Sequence, residues 1–154
     1  MFIDKNLEKA KNAAFRLLKF RERSEKELRD RLKKKKFDDL TIKETIAYLK
    51  KIDLLNDNNF AIKWAESRIK KPYGAKRIIY ELKQKGIEAK IIDKTLADIK
   101  SRYNEYDLAR QILESQIKTI KKDQDLFKTK ARLYNFLIRR GFSYDVAADT
   151  IENL

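Results

Sequence analysis

The stretch KPYGAKRIIYELKQKGI, Lys71 to Ile87, decides the fold. It holds the only proline, Pro72, and two of the three glycines, Gly74 and Gly86. Between those glycines Ala75, Ile78, Ile79 and Leu82 fall on one helical face, and Lys76, Tyr80, Lys83 and Gln84 on another. Proline before a helix and glycine after it are the expected punctuation. The same pattern recurs on both sides. With Leu32, Leu82 and Leu137 as origins, position minus four is Leu28, Ile78 and Leu133, and position plus five is Phe37, Ile87 and Phe142. Plus thirteen is Thr45, Thr95 and Thr150; plus fourteen is Ile46, Leu96 and Ile151. Gly86 and Gly141 occupy plus four, where a left-handed residue ends the second helix, and Lys36 stands there in the first copy.

These offsets predict an all-α chain: an elongated, curved array of three tandem three-helix repeats, with units near 5–53, 54–102 and 103–154. Nine helices are expected, over 5–21, 24–35, 41–51, 57–70, 74–85, 88–100, 104–121, 126–140 and 143–152. Three glycines, one proline and no Asn-Gly hairpin dipeptide leave little turn material for a sheet. Ser24 with Glu27 reads as a capping box, Thr41 with Glu44 as another, and Asp57 or Asn58 as the cap of the fourth helix.

Composition narrows the function. The 154 residues, 42% hydrophobic, suffice to build a core, yet no apolar run nears the roughly 20 residues of a membrane span. The start, MFIDKNLEKAK, lacks the apolar segment of a secretory signal, so a cytoplasmic protein is expected. There is no cysteine and no histidine, which excludes disulfides, thiolate or imidazole metal sites, and Ser-His-Asp catalysis. No phosphate-cradling glycine loop is present. Carboxylates mostly have basic neighbours three or four positions away, as Glu81 has Arg77 and Lys85, the pattern of solvated helix faces. Asp38, Asp39, Asp53 and Asp57 fall at caps rather than forming a metal set. No catalytic residue, cofactor or metal is expected.

A binding surface remains. Thirty-eight Lys and Arg against 24 Asp and Glu give a net charge of +14, which attracts polyanions. Residues 63–85 concentrate Lys63, Arg68, Lys70, Lys71, Lys76, Arg77, Lys83 and Lys85 against Glu66 and Glu81. Tyr73 and Tyr80 stand among these cations, either to stack on bases and cover a groove or as half-buried residues with wet hydroxyls. Trp64 reads as core. Arg21 and Arg23 occupy the matching position in the first unit, as a second basic contact or as a solvated turn.

The segment PYG followed by AKRIIYELKQKGI resembles the signature of the RecX family, regulators of the RecA recombinase. LLKFRERSEKELRDRL, Leu17 to Leu32, is similar to that family's leucine–arginine–serine–glutamate–leucine segment. LLNDNNFAIKWAESRIKK, Leu54 to Lys71, matches its turn-and-helix, and the likeness weakens toward RRGFSYDVA, Arg139 to Ala147. Two departures touch helix ends: Ile52-Asp53 and Lys36 stand where the family often has glycine. The resemblance implies three tandem three-helix repeats that lodge in the groove of the RecA–DNA filament. It further implies lowered ATP hydrolysis, strand exchange and co-protease activity, with effects on recombination, repair and the SOS response. Weaker, salt-sensitive binding to single- and double-stranded DNA is also implied. On that reading Arg68, Lys71, Tyr73, Lys76, Arg77 and Lys83 face filament or DNA, with Tyr80, Arg21 and Arg23 as further contacts. A three-unit array with polar termini is expected to be monomeric. The alternatives are an autonomous DNA-binding helical protein without a recombinase partner, and a helical scaffold for another protein.

Overall fold

The computed structural model describes residues 4–120 and 125–154. Among them, nine helices and no strand are present. Unit one is α1 (Lys5–Phe20), α2 (Glu25–Lys34) and α3 (Asp39–Lys51); unit two is α4 (Asp57–Ile69), α5 (Ala75–Gln84) and α6 (Ala89–Arg102). Unit three is α7 (Glu105–Ile117), α8 (Leu126–Arg139) and α9 (Tyr144–Glu152). In each unit the first and third helices pack together. The repeated apolar positions are the core: Leu28, Leu32, Ile78, Leu82, Leu133, Leu137 and Phe142 are buried. The chain exposes 10742 Å², against about 8,200 Å² for a compact monomer of this mass, so the units are strung out rather than bundled.

Local chemistry sets the helix starts, and two expectations need correcting. Ser24 and Glu27 form the capping box read from sequence. Thr41 and Glu44 do not: α3 begins two residues earlier, because Asp38 accepts the Thr41 N–H at 2.7 Å. Asn56, not Asp57 or Asn58, caps α4 by accepting the Asn59 N–H at 3.2 Å. Asp57 instead turns toward unit one and accepts the Glu25 N–H at 2.9 Å, and burial raises its carboxyl pKa. The helix expected over 104–121 closes at Ile117, and residue 121 lies outside the described residues.

Neighbouring units meet end to end through their second helices. The N-terminus of α5 sits on the turn that closes α8: the Gly74 N–H donates to the Arg140 carbonyl at 2.8 Å and the Lys76 N–H to the Gly141 carbonyl at 3.0 Å. These carbonyls replace the side-chain cap that Gly74 cannot supply. The N-terminus of α2, capped by its own Ser24 and Glu27, sits on the turn after α5, where the Ser24 hydroxyl donates to the Lys85 carbonyl at 2.6 Å. Each contact joins the positive end of one helix dipole to the negative end of another.

The joint explains the glycines. Gly141 holds φ +93°, and a Cβ there would collide with the Arg77 backbone; a Cβ on Gly74 would collide with Gly141 itself. Lys36, the equivalent turn residue of unit one, has φ 68° but an exposed side chain. Asp53 has φ 65°. The two positions where the family pattern suggested glycine are thus the two non-glycine residues with left-handed backbone among the described residues.

Gly141→Ala should lower unfolding stability by about 2–4 kcal/mol, through both strain and a lost docking contact. Lys36→Gly, where only the backbone term acts, should gain up to about 1 kcal/mol. Denaturant melts of the two variants check this pair. Glu27 supplies a pH test. Burial opposes its charge, but Arg21, the Ser24 N–H and Lys85 together hold its pKa below the usual 4.5. Its contribution is therefore complete above that value and is lost as pH falls through the lower folded pKa. The stability gap between wild type and Glu27→Gln should close as pH is lowered below 4.5, as read by denaturant melts across pH.

Candidate functional site

The basic stretch folds as the end of α4, the Lys71–Gly74 turn and α5. On α5, Ile78 and Leu82 are buried while Lys76, Tyr80, Lys83 and Gln84 are exposed, Tyr80 at 62%. The Lys76 ammonium lies 4.6 Å from the centre of the Tyr144 ring at the start of α9, so unit three steadies it. Lys71 is exposed at the turn before α5.

Arg68, Tyr73 and Arg77 form a second cluster beside this face. Glu81 is its hub, accepting from Arg68 Nε at 2.7 Å, Arg77 Nε at 3.2 Å and Trp64 Nε1 at 3.1 Å. Its side chain is only 13% exposed, so the carboxylate expected on a solvated face organises two arginines from the inside. Trp64 is half-buried, stacked on Phe60 with ring centres 5.8 Å apart. Lys85, expected to pair with Glu81, reaches Glu27 at 3.1 Å instead and lies over Trp64. Tyr73 is half-buried and ringed by guanidiniums, with Arg140 4.0 Å, Arg77 5.1 Å and Arg68 5.5 Å from its centre. It orders arginines and has little free face for a base. Of the two tyrosines, Tyr80 is the exposed one.

The first-unit arginines lie elsewhere, at the other joint. Arg21 is half-buried and paired with Glu27. Arg23 is 6% exposed and turned inward, its Nε donating to the Leu17 carbonyl at 3.3 Å. Burial and then the neighbouring Arg21 and Arg31 depress its pKa. An outward-facing contact at Arg23 is therefore replaced by a structural role, tying the end of α1 to the α1–α2 turn.

Sequence reasoning missed Arg140. Its Nε donates to the Pro72 carbonyl at 3.0 Å and its Nη2 to the Lys71 carbonyl, fastening the basic turn to unit three. The available signal was its position at plus three, matching Lys85. Among the described residues no group of His, Cys, Asp or Glu could hold a metal, and no helix is long and apolar enough to cross a membrane.

Comparison with known proteins agrees with this architecture. Three family models match in tandem: RecX, first three-helix domain, over residues 10–49; the second over 56–96; and the third over 104–151. A regulatory protein RecX from Clostridium beijerinckii is 33% identical over 150 residues, covering 97% of this chain and 70% of the relative. One from Chlorobium phaeobacteroides is 36% identical over 154 residues, covering 98% and 97%. The crystal structure of RecX from Lactobacillus salivarius superposes with a TM-score of 0.81 at 24% identity, over 99% of this chain and 98% of that one, and so shows the same fold. Three matched domains in order, on a chain built of three joined helical units, establish that the chain belongs to the RecX family of regulatory proteins.

Proposed function

We propose that this protein binds the filament formed by the RecA recombinase on DNA and restrains its ATP hydrolysis, strand exchange and co-protease activity. It would thereby modulate recombination, repair and the SOS response, acting by occupancy with no catalytic role of its own. Family membership supports the partner. The observation that carries the contact surface is α5: Lys76, Tyr80 and Lys83 stand exposed on a helix held at both ends by joints to its neighbours. A rigid face of this kind loses little conformational entropy on docking. An extended row of units can bridge successive protomers, and a net charge of +14 favours a groove that also exposes nucleic acid. Lys71, Arg68 and Arg77 extend the same side of unit two.

The charge also favours a second reading, in which the protein binds DNA by itself without a recombinase. Salt separates the two. Binding through phosphates alone weakens steeply as salt rises, whereas a groove contact centred on Tyr80 persists better.

The experiment is ATP hydrolysis by RecA on single-stranded DNA at near-physiological salt, with increasing amounts of this protein. Inhibition well below one molecule per protomer supports the filament reading; inhibition only once the DNA is coated supports the second. The double variant Lys76→Glu, Lys83→Glu should need at least about tenfold more protein for half inhibition, about 1.4 kcal/mol of binding. Its thermal melt should stay near wild type, because both side chains are exposed. An unchanged inhibition curve would displace the contact from α5.

A further inference from the structure

Arg23 is a buried cation whose charge has no partner. Only 6% of the residue is exposed, and its Nε donates to the Leu17 carbonyl at 3.3 Å. Among the described residues neither of its Nη groups has an acceptor, and no carboxylate forms an ion pair with it. No side-chain nitrogen among those residues is wholly buried without a partner, so both Nη groups reach solvent. Arg23 lines a cavity of about 190 Å³, where roughly 10–15 Å³ admits a single water. The walls come from the α1–α2 turn, the chain between α3 and α4, and the first half of α4. Glu22 and Lys63 belong to this lining but are spent on each other as an ion pair. Two opposite charges are left over among the lining residues, Arg23 from the α1–α2 turn and Asp53 from the α3–α4 connection. Asn56 uses its Oδ1 to cap α4, which leaves its Nδ2 as a donor beside Asn59. Leu54 and Phe60 supply the apolar part of the wall.

We propose that this cavity, at the joint between units one and two, binds a free α-amino acid, with its carboxylate on the Arg23 guanidinium and its ammonium on Asp53. A buried guanidinium without a carboxylate is costly. Burial and then the neighbouring Arg21 and Arg31 already press its pKa down. A carboxylate brought to the Nη groups would relieve that cost and accept parallel hydrogen bonds from the planar fork. A simple anion would satisfy Arg23 but meet Asp53 and Glu22 as like charges, and a simple cation would satisfy Asp53 but be repelled by Arg23. One molecule with both charges a few atoms apart answers both residues, and an α-amino acid is the smallest of that class. The amide nitrogens of Asn56 and Asn59 suit the remaining lone pairs of the carboxylate. Leu54 and Phe60 give an apolar wall for a short side chain. Bound in this way, the ligand ties the α1–α2 turn of unit one to the connection that leads into unit two. It reinforces the Ser24–Lys85 and Glu25–Asp57 contacts of the same joint, so the hold on unit one follows the supply of free amino acid.

The site shares no residue with the α5 face, so it stands or falls apart from the filament reading. The probe is L-alanine, titrated to tens of millimolar into the full chain and followed by two-dimensional NMR of its N–H groups. Saturable shifts are expected at the Arg23 Nε–H and at the side-chain amides of Asn56 and Asn59. L-Alanine methyl ester and N-acetyl-L-alanine, each lacking one of the two charges, should bind at least about tenfold more weakly. Arg23→Gln should abolish the shifts at both asparagines, but it also loses the Leu17 contact and can fold poorly. Asp53→Asn avoids that problem, because asparagine tolerates the left-handed φ of 65°. It should weaken L-alanine by about fivefold and tighten N-acetyl-L-alanine, whose anion no longer meets a like charge. Opposite changes for two ligands cannot arise from unfolding, so this variant decides the case. Shifts that do not saturate, an ester or N-acetyl compound bound as well as L-alanine, or unchanged binding in Asp53→Asn would overturn the site. Inorganic phosphate moving the same signals at lower concentration than L-alanine would make this a simple anion site and overturn the proposed ligand.

Discussion

The architecture depends on one interaction: carbonyl groups at the end of one second helix accept hydrogen bonds from the residues that begin another. Helix termini carry unsatisfied backbone groups of opposite kind, and a row of separate helices would have to satisfy each end by itself. Here Gly74 and Lys76 of unit two find the Arg140 and Gly141 carbonyls of unit three. One unit earlier the Ser24 hydroxyl, rather than an amide, donates to the Lys85 carbonyl. The second helices therefore follow one another end to end, with the first and third helix of each unit packed together. Small or left-handed residues at the contact follow from that approach. Gly141 and Gly74 are required at their mutual contact, whereas Lys36, with an exposed side chain, needs only the backbone conformation.

The two joints are not equivalent in packing either. Units two and three share one continuous apolar cluster, from Phe60 and Ile78 through Leu137 to Ile151. Unit one has a cluster of its own, Ala14 to Leu55. It is tied to unit two by polar contacts: Ser24 with Lys85, Glu25 with Asp57, and Glu27 with Lys85. Units two and three are thus joined by shared apolar burial, and unit one by polar contacts.

Much of this was legible in the residues. The offsets from Leu32, Leu82 and Leu137 identify the buried face of each second helix because burial recurs with the helical period. Lys36 and Asp53 were visible as departures from a glycine pattern, and both prove left-handed. What stayed hidden depends on contacts between distant residues. Arg140 meets Pro72 across 68 positions, and nothing local marks it as part of the basic cluster. Glu81 has the spacing of a surface ion pair, and only the placement of Trp64 and Arg68 shows it to be enclosed. Arg23 reads as a solvated base because sequence does not reveal that the end of α1 offers it a carbonyl. Caps failed at Thr41 and Asp57 for a milder reason: several capping residues adjoin, and tertiary contacts choose among them.

Amide hydrogen exchange at Gly74 and Lys76 tests the central claim most directly. Gly74 is the N-cap of α5 and Lys76 lies in its first turn, where N–H groups have no partner within their own helix and exchange readily. If the end-to-end joint holds, both amides should be protected nearly as well as those of Ile78 and Leu82 in the helix core. Exchange at the rate of an open turn, with the rest of α5 protected, would contradict the joint and the coupled placement of the basic cluster.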